Sequence, residues 1–172
     1  VDIDEFDTME VPYKQLVLWN PENDDIIGGY RFLYGTDIRF DEDGQPLMAT
    51  AHGMFRFSEK FINEFLPYTV ELGRAFVALE YQSTRMGSKS LFALDNLWDG
   101  LGALAIVLPG MKYYFGKVTM YPSYPTAARD VILYFLREQV PDKDKLLEPI
   151  VPLVTGADEE PMKALFCHEN YK

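Results

Sequence analysis

Two charged residues stand inside a segment that otherwise has the composition of a buried β-strand. In "TVELGRAFVALEY" (69–81), Glu71 and Arg74 lie three residues apart with Gly73 between them. A buried charge without a partner costs several kcal/mol, so such groups normally pair. Beside a substrate, the same residue types do chemistry: a carboxylate accepts a proton, and an arginine binds a carboxylate through two hydrogen bonds.

Three further ionisable residues precede this segment. Arg31 lies within "IIGGYRFL" (26–33), and Asp4 and Asp7 lie in "DEFD" (4–7), just before the first expected strand. The two arginines have three carboxylates as possible partners. This set indicates either a structural ion-pair network, or simply an exposed sheet face, or a reactive site, and the residue types alone leave these interpretations open.

Strand geometry adds one prediction about this set. Strict alternation places Glu71 and Gly73 on one face of the strand and Arg74 on the other. A glycine inside a strand often marks a β-bulge, which would break the alternation and bring both charged side chains toward one cleft. A bulge also frees backbone N–H groups, which are good donors for an oxyanion.

The elements that must position these residues follow from the spacing of apolar residues and of Pro and Gly. The pattern predicts strands at 14–19, 26–35, 69–81 and 112–121, helices at 59–66, 91–108 and 125–140, and an irregular C-terminal part at 141–172. The strands are not regularly separated by crossover helices. We therefore expect an α/β (α+β) fold, with a mixed, mostly antiparallel central sheet flanked by helices.

Composition restricts the class of protein. A chain of 172 residues fits one domain over 1–172, and its formal charge of −11 argues against non-specific binding to nucleic acid or to an anionic membrane. The single cysteine, Cys167, excludes an intrachain disulfide and favours a reducing, cytoplasmic location. No signal-peptide pattern or membrane-spanning apolar run is present. Because the chain begins at Val1, we expect that an N-terminal segment is missing.

Three segments carry a resemblance to a known family. "IIGGYRFL", "ELGRAFV" (71–77) and "LDNLWDGLGALA" (94–105) resemble the GNAT-like acyltransferases that use acyl carrier protein. These include ornithine-lipid N-acyltransferases, glycine-acylating enzymes often labelled hemolysins and, more distantly, acyl-homoserine-lactone synthases. In those synthases a D-x-x-D pair, a strand arginine and E-x-x-R recur in this order. Here they are matched by Asp4 and Asp7, Arg31, and Glu71 and Arg74, and the resemblance covers roughly 3–122.

The resemblance implies a thioester as acyl donor and no bound cofactor or metal. Acetyl-CoA-dependent members carry a glycine-rich Q/R-x-x-G-x-G/A loop, whereas "YQSTRMGSKS" (81–90) has only one glycine. This departure favours acyl carrier protein, whose phosphopantetheine has a single phosphate, over acyl-CoA. The residues expected to bind the donor are Phe76, Val77, Arg85, Gly87, Ser88 and Lys89. An acidic carrier protein would dock on a basic patch, for which the candidates are Arg85, Lys89, Lys112 and Lys117.

The resemblance also implies roles for the charged residues. The acyl thioester would lie between the strand at 71–79 and the strand at 113–121, with its carbonyl polarised by backbone N–H near Phe76 or Val77. Glu71 would take a proton from an amino acid such as ornithine or glycine, directly or through water. Arg31 or Arg74 would orient Glu71 or bind the acceptor's carboxylate, and Asp4 and Asp7 would complete the network. The product would be an N-acyl amino acid lipid, with peripheral membrane contact through that product.

One alternative of another class stays open. A GNAT-like domain without activity would serve as a binding or structural module, and its charged residues would then only stabilise the fold. His52 and His168 are far apart in the sequence, so structural or exposed positions are favoured for both. Cys167 lies next to His168 in the irregular C-terminal part, and adjacent residues rarely provide the geometry of a nucleophile and its base.

Overall fold

The computed structural model describes residues 5–8, 13–82, 88–121, 123–153, 160, 162–163 and 166. Its strands are β1 (Lys14–Asn20), β2 (Asp25–Tyr34), β3 (Phe55–Phe57), β4 (Thr69–Val77), β5 (Tyr113–Phe115) and β6 (Leu147–Pro149). Its α-helices are α1 (Ser88–Val107) and α2 (Thr126–Gln139). The predicted mixture of helices and a mostly antiparallel sheet is confirmed.

A four-stranded sheet in the order β1-β2-β4-β5 positions the charged residues. β1, β2 and β4 pair in antiparallel fashion, and β5 adds in parallel to β4. Helix α1 covers one face because its leucines recur at helical spacing, and Leu101 and Leu104 pack there against Phe32 and Val70. The helix ends before Gly110, whose φ of 91° suits the turn that follows.

The predicted bulge in β4 is confirmed, one position beyond the glycine. Arg31 pairs with Gly73 and Gly29 pairs with Phe76, so two residues of β4, Arg74 and Ala75, oppose the single residue Tyr30. Arg74 adopts a φ of 45°, in the left-handed region that a non-glycine residue rarely enters. Since Gly73 has no such φ, the bulge is built on Arg74, and the glycine serves another purpose.

The sheet opens at its β5 edge. The parallel pairing joins Thr69 to Tyr113 and ends with Glu71 and Phe115, so the predicted strand at 112–121 is correct only over three residues. β4 continues to Val77, beyond its last described pairing with β5. Two neighbouring strands therefore separate immediately after Glu71.

The segment predicted as a helix at 59–66 has an unusual form. It begins as an α-helix at 59–60, widens into a π-helical turn at Phe61–Phe65 and tightens into a 3-10 turn at Leu66–Tyr68, which contains Pro67. The wide turn stacks the rings of Phe61 and Phe65 at 6.5 Å, and Phe61 also meets Phe115 edge-on at 6.0 Å. This aromatic group fixes the end of β5 where the two strands separate.

The chain divides into two compact units, of which 1–52 with 59–117 contains the sheet and α1. The other unit comprises 53–58 and 118–172. In it β3 pairs with β6 in antiparallel fashion, and on α2 the buried Asp130 binds the guanidinium of its neighbour Arg129 at 2.8 Å. β3 and β6 were not predicted, because three residues are too few to show a periodicity. A single domain over 1–172 stays a prediction.

In the described part of the chain, no helix combines the length and the apolar character that a membrane crossing requires.

Candidate functional site

Glu71 lies at the centre of a buried hydrogen-bond network. Its side chain is 0% exposed. One carboxylate oxygen, Oε1, accepts hydrogen bonds from the backbone N–H and the hydroxyl of Thr50 at 2.7 and 2.6 Å, and Oε2 accepts one from the hydroxyl of Tyr13 at 2.5 Å. The described donors to this carboxylate are therefore two hydroxyls and one amide. The sequence had suggested an arginine in this place.

Tyr13 connects the network to the rest of the fold. Its hydroxyl oxygen accepts the backbone N–H of Ala49 at 3.0 Å while its proton is donated to Glu71. Burial, together with the charge of Glu71 and the hydrogen bond to it, raises the pKa of Tyr13 well above the usual value for a phenol. The phenol is therefore a permanent donor at neutral pH. Its ring meets that of Phe6 edge-on, at 6.3 Å between centroids.

Arg31 lies beside the same network without binding Glu71 among the contacts described. Its guanidinium carbon is 4.8 Å from the centroid of the Tyr13 ring, a cation–π geometry, and the residue is 3% exposed. The register explains the proximity: Arg31 pairs with Gly73 and Leu33 with Glu71, so all four share one face of the sheet. Arg31 and Glu71 therefore lie on the same face of the sheet, and both contact Tyr13.

Gly73 permits the approach of Thr50. A Cβ added to this glycine would lie 3.1 Å from the Cγ2 of Thr50, which is closer than side chains normally pack. Without that side chain, the loop that carries Ala49 and Thr50 can lie over β4 and deliver two donors to Glu71. The glycine inside the strand thus serves a close approach between loop and strand.

Arg74 is placed differently from Glu71. It is exposed at the bulge, whereas Glu71 is fully buried, so the two side chains do not share one buried cluster. That the bulge brings both side chains toward one cleft stays a prediction. A catalytic role for each residue stays a prediction.

The opposite side of the bulged strand borders a cavity. A space of about 450 Å³ lies between the end of β4 and helix α1. Its walls are Tyr30, Ala75, Phe76, Val77, Tyr81, Gln82, Leu94 and Leu97. Phe76 and Val77, predicted to bind the donor, are among them, and the mixture of apolar walls and exposed backbone is typical of a small-molecule site.

The backbone of Val77 points to the open edge of the sheet. Ala78 donates its N–H to the carbonyl of Ile27 at 2.8 Å, toward β2. Because successive residues of a strand direct their backbone groups to opposite edges, the N–H and C=O of Val77 face away from β2. The side-chain amide of Gln82 donates a hydrogen bond to this carbonyl, where a neighbouring strand would otherwise pair.

Several predicted residues fall wholly or partly outside the described part of the chain. Asp4, Arg85, Gly87, His168 and Cys167 lie outside it, and of Asp7, Ser88 and Lys89 only the backbone is described. Helix α1 does begin at Ser88. His52 is exposed in a loop. In the loop at 41–46, the side chain of Asp41 accepts hydrogen bonds from the backbone N–H groups of Asp43 and Gln45, which stabilises a turn.

Sequence reasoning missed Tyr13, Thr50 and Gln82. Alternation through β1 gives a partial signal for Tyr13, because Gln15 pairs with Arg31 and Tyr13 lies two residues earlier on the same face. Thr50 is 21 residues from Glu71 in the chain, in a loop without periodicity, and nothing local announces its contact. Gln82 follows β4 and turns back onto it.

Comparison with known proteins identifies the family. Residues 1–91 match the model of the acetyltransferase (GNAT) domain. Two curated relatives, from Bacteroides thetaiotaomicron and Phocaeicola vulgatus, are both named glycine N(alpha)-acyltransferase and are each 62% identical over all 172 residues. The chain spans about half the length of these relatives, 51% and 52% respectively. No solved structure matches significantly. With over half of its residues matched, and with the mixed sheet described above, the chain belongs to the GNAT acetyltransferase domain family.

Proposed function

We propose that this chain transfers a fatty acyl group from a thioester to the amine of an amino acid, with glycine as the first acceptor to test. The proposal rests on membership of the GNAT family and on the name shared by the two curated relatives. Ornithine, which the resemblance also suggested, is the second acceptor. The product is an N-acyl amino acid.

The observation that carries the proposal is the open edge of β4 beside the cavity. β4 loses its neighbour after Glu71, and the N–H and C=O of Val77 face the resulting gap. A phosphopantetheine arm is extended and contains two amides, so it can pair with such an edge as a strand would. The thioester carbonyl then lies close to the N–H of Val77, which would stabilise the negative charge that develops on its oxygen.

Acyl carrier protein is the proposed donor, and acyl-CoA is the alternative. The argument for the carrier protein is the poor glycine pattern in 81–90, since a single phosphate needs a smaller backbone cradle than a pyrophosphate. Of the proposed docking cations, Lys112 and Lys117 are described. The Nζ of Lys112 lies 4.3 Å from the centroid of the Tyr68 ring, and Lys117 is exposed. Docking would involve these residues with Arg85 and Lys89.

The acceptor is proposed to approach from the face that carries Glu71. Burial prevents a direct contact between the substrate's amine and Glu71, so the proton would reach this carboxylate through an intermediate group. Arg31 and Arg74 are retained as the candidates that orient Glu71 or bind the acceptor's carboxylate. Asp4 and Asp7 are retained as candidates for the same network.

The experiment measures product directly. The purified protein is incubated with acyl carrier protein thioester or acyl-CoA, and with glycine or ornithine, and N-acyl products are detected by mass spectrometry. We expect N-acylglycine with the carrier-protein donor. Product with acyl-CoA alone would contradict the carrier-protein proposal, and no product with any pair would contradict the proposed function.

Two glycines provide matched variants to test the proposed donor groove, which is the cavity between the end of β4 and helix α1. A Cβ at Gly28 would lie 2.7 Å from the carbonyl oxygen of Phe76 and 3.2 Å from Leu97, whereas a Cβ at Gly102 meets nothing within 4 Å. We expect Gly28→Ala to raise the KM for the donor by displacing this part of β4, and Gly102→Ala to leave it unchanged. Equal kinetics for two folded variants would exclude the groove as the donor site.

One observation favours a second candidate function, a non-catalytic binding module. Both oxygens of Glu71 are occupied by internal donors, as expected of a carboxylate that only stabilises a fold. Such a module would bind the acyl donor without consuming it. Binding of a thioester without release of free thiol would support this candidate against the enzyme.

A further inference from the structure

The network around Glu71 has one member that is able to exchange a proton with a substrate. The backbone N–H of Thr50 donates a hydrogen bond to Oε1, but an amide is too weak an acid to give up its proton in a relay. The phenol of Tyr13 is committed on both sides, since it donates to Oε2 and accepts the N–H of Ala49. The hydroxyl of Thr50 donates to Oε1 at 2.6 Å, and its oxygen accepts no hydrogen bond from the described residues.

We propose that the Thr50 hydroxyl is the relay through which Glu71 receives the proton of the acceptor amine. This inference rests on the proposed function. Thr50 lies on a loop, against a glycine whose missing side chain allows its approach, so the hydroxyl is held against the buried carboxylate. Thr50 is 8% exposed and Glu71 is 0% exposed, so of these two side chains only that of Thr50 retains a path to solvent or substrate. Among the residues that the structure describes, the titratable and charged groups around this position, besides Glu71 itself, are Tyr13, just before β1, and Arg31, on β2.

Acyl transfer forms a C–N bond and breaks the C–S bond of the thioester. The neutral amine attacks the thioester carbonyl, and the new C–N bond leaves a positive charge on nitrogen. A proton passes from that nitrogen to the oxygen of Thr50, while the hydroxyl's own proton moves to Oε1 of Glu71. The C–S bond breaks, the carbonyl reforms, and the thiolate takes a proton from solvent. Glu71 then returns its proton to solvent by the same route, so the protein ends unchanged. Tyr13 acts only as a positioning residue that holds Oε2.

The test compares hydroxyl variants of buried threonines. Thr50→Val removes the relay and keeps the shape, and we expect kcat to fall about 100-fold, a typical contribution of general base catalysis, with little change in KM. The remaining rate should rise with hydroxide concentration, because solvent hydroxide must then take the proton of the amine. Thr50→Ser should restore most of the turnover. The control is Thr69→Val, which removes another buried hydroxyl, one that donates to Phe65 O at 2.8 Å; we expect the wild-type pH profile.

A measurement on the unmodified protein keeps the proposal falsifiable if Thr50→Val does not fold. A relay moves two protons in one step, so the rate of acyl transfer in a single turnover, which excludes product release, should depend quadratically on the deuterium fraction of the solvent. A linear dependence overturns the relay, as does a folded Thr50→Val protein with wild-type kcat and pH profile, or a Thr50→Ser protein as slow as Thr50→Val. These failures leave acyl transfer intact, whereas an inactive wild-type protein removes the proposed function itself.

Discussion

The α1 face of the central sheet is apolar and leaves a cavity of about 450 Å³ beside Val77, whereas the opposite face buries Tyr13, Arg31 and Glu71. On the first face, the backbone N–H and C=O of Val77 lie at an open strand edge, and the carbonyl accepts a hydrogen bond from the side chain of Gln82. On the second, both oxygens of the buried Glu71 carboxylate already accept hydrogen bonds. The two faces therefore differ in what they offer. The α1 face is suited to bind an extended ligand, and the network face holds the residues that any chemistry would need in fixed positions.

The largest expected effect breaks the network face. Glu71→Ala removes the acceptor of three buried hydrogen bonds, so we expect the free energy of unfolding to fall by about 3–5 kcal/mol, since each buried donor left unsatisfied costs about 1–3 kcal/mol. Urea denaturation measures this loss. The exposed Glu148, on the β6 strand, is the control, and Glu148→Ala should stay within about 0.5 kcal/mol of wild type. Similar losses for both variants would show that the network contributes no more to stability than an exposed carboxylate does.

The second effect removes one hydroxyl from the same face. Tyr13→Phe leaves the N–H of Ala49 and one oxygen of Glu71 without their described partner, and we expect a loss of about 1–3 kcal/mol. Thermal and urea unfolding both report it. Unchanged stability would mean that water replaces the phenol and that this end of the network is open to solvent.

The third prediction concerns alkaline pH. The folded protein raises the pKa of Tyr13, mainly through burial, so the folded state holds the phenolic proton more tightly than the unfolded state does. The resulting stability is present below the ordinary phenol pKa of about 10, and above it is lost by about 1.4 kcal/mol per pH unit. Urea midpoints from pH 8 to 11 should therefore fall more steeply for wild type than for Tyr13→Phe. Parallel curves would contradict the buried donor.

The residues that sequence reasoning identified differ in a physical way from those that it missed. Glu71, Gly73 and Arg31 were found because a charge or a glycine contradicts the apolar pattern of a strand. The bulge followed from the same contradiction and was placed one residue early, since its position depends on the register with β2. Thr50 and Tyr13 contradict no pattern. Their importance arises from contacts 21 and 58 residues away in the chain.

The fold was predictable for a similar reason and to a similar extent. Long elements such as α1 and β2 repeat their periodicity often enough to be recognised, whereas β3, β5 and β6 have three residues each. The π-helical turn at Phe61–Phe65 was predicted as an α-helix because both place apolar residues on one face. Only tertiary contacts, here the ring of Phe115, distinguish the two forms.

The fourth prediction fills the cavity on the α1 face. Leu94 is exposed and lines the cavity, so Leu94→Trp should occupy part of it and raise the KM for the acyl donor about tenfold, equivalent to about 1.4 kcal/mol of binding. Stability should change little, unlike the variants of the network face. Ile132→Trp, at an equally exposed position on α2, is the control, and steady-state kinetics with varied donor decide the result. An unchanged KM would place the donor elsewhere.

The smallest expected effect concerns the open edge itself. The amide of Gln82 occupies the carbonyl of Val77, which a donor's amide would also need. Removing this competitor in Gln82→Ala should therefore lower the KM for the donor, by no more than the few-fold that one exposed hydrogen bond of about 0.5–1.5 kcal/mol provides. A higher KM would mean that Gln82 binds the donor instead.

The bulge has a consequence for how β4 can be altered. Gly73 and Phe76 are already matched to Arg31 and Gly29 across the extra residue, so deleting Ala75 would leave one residue opposite Tyr30 and keep every other pair of the ladder in phase. A shortened chain of this kind retains the sheet and loses only the outward bend. The presence of one extra residue in β4, whatever its side chain, thus decides whether this part of the strand is bulged or pairs with β2 as a continuous ladder.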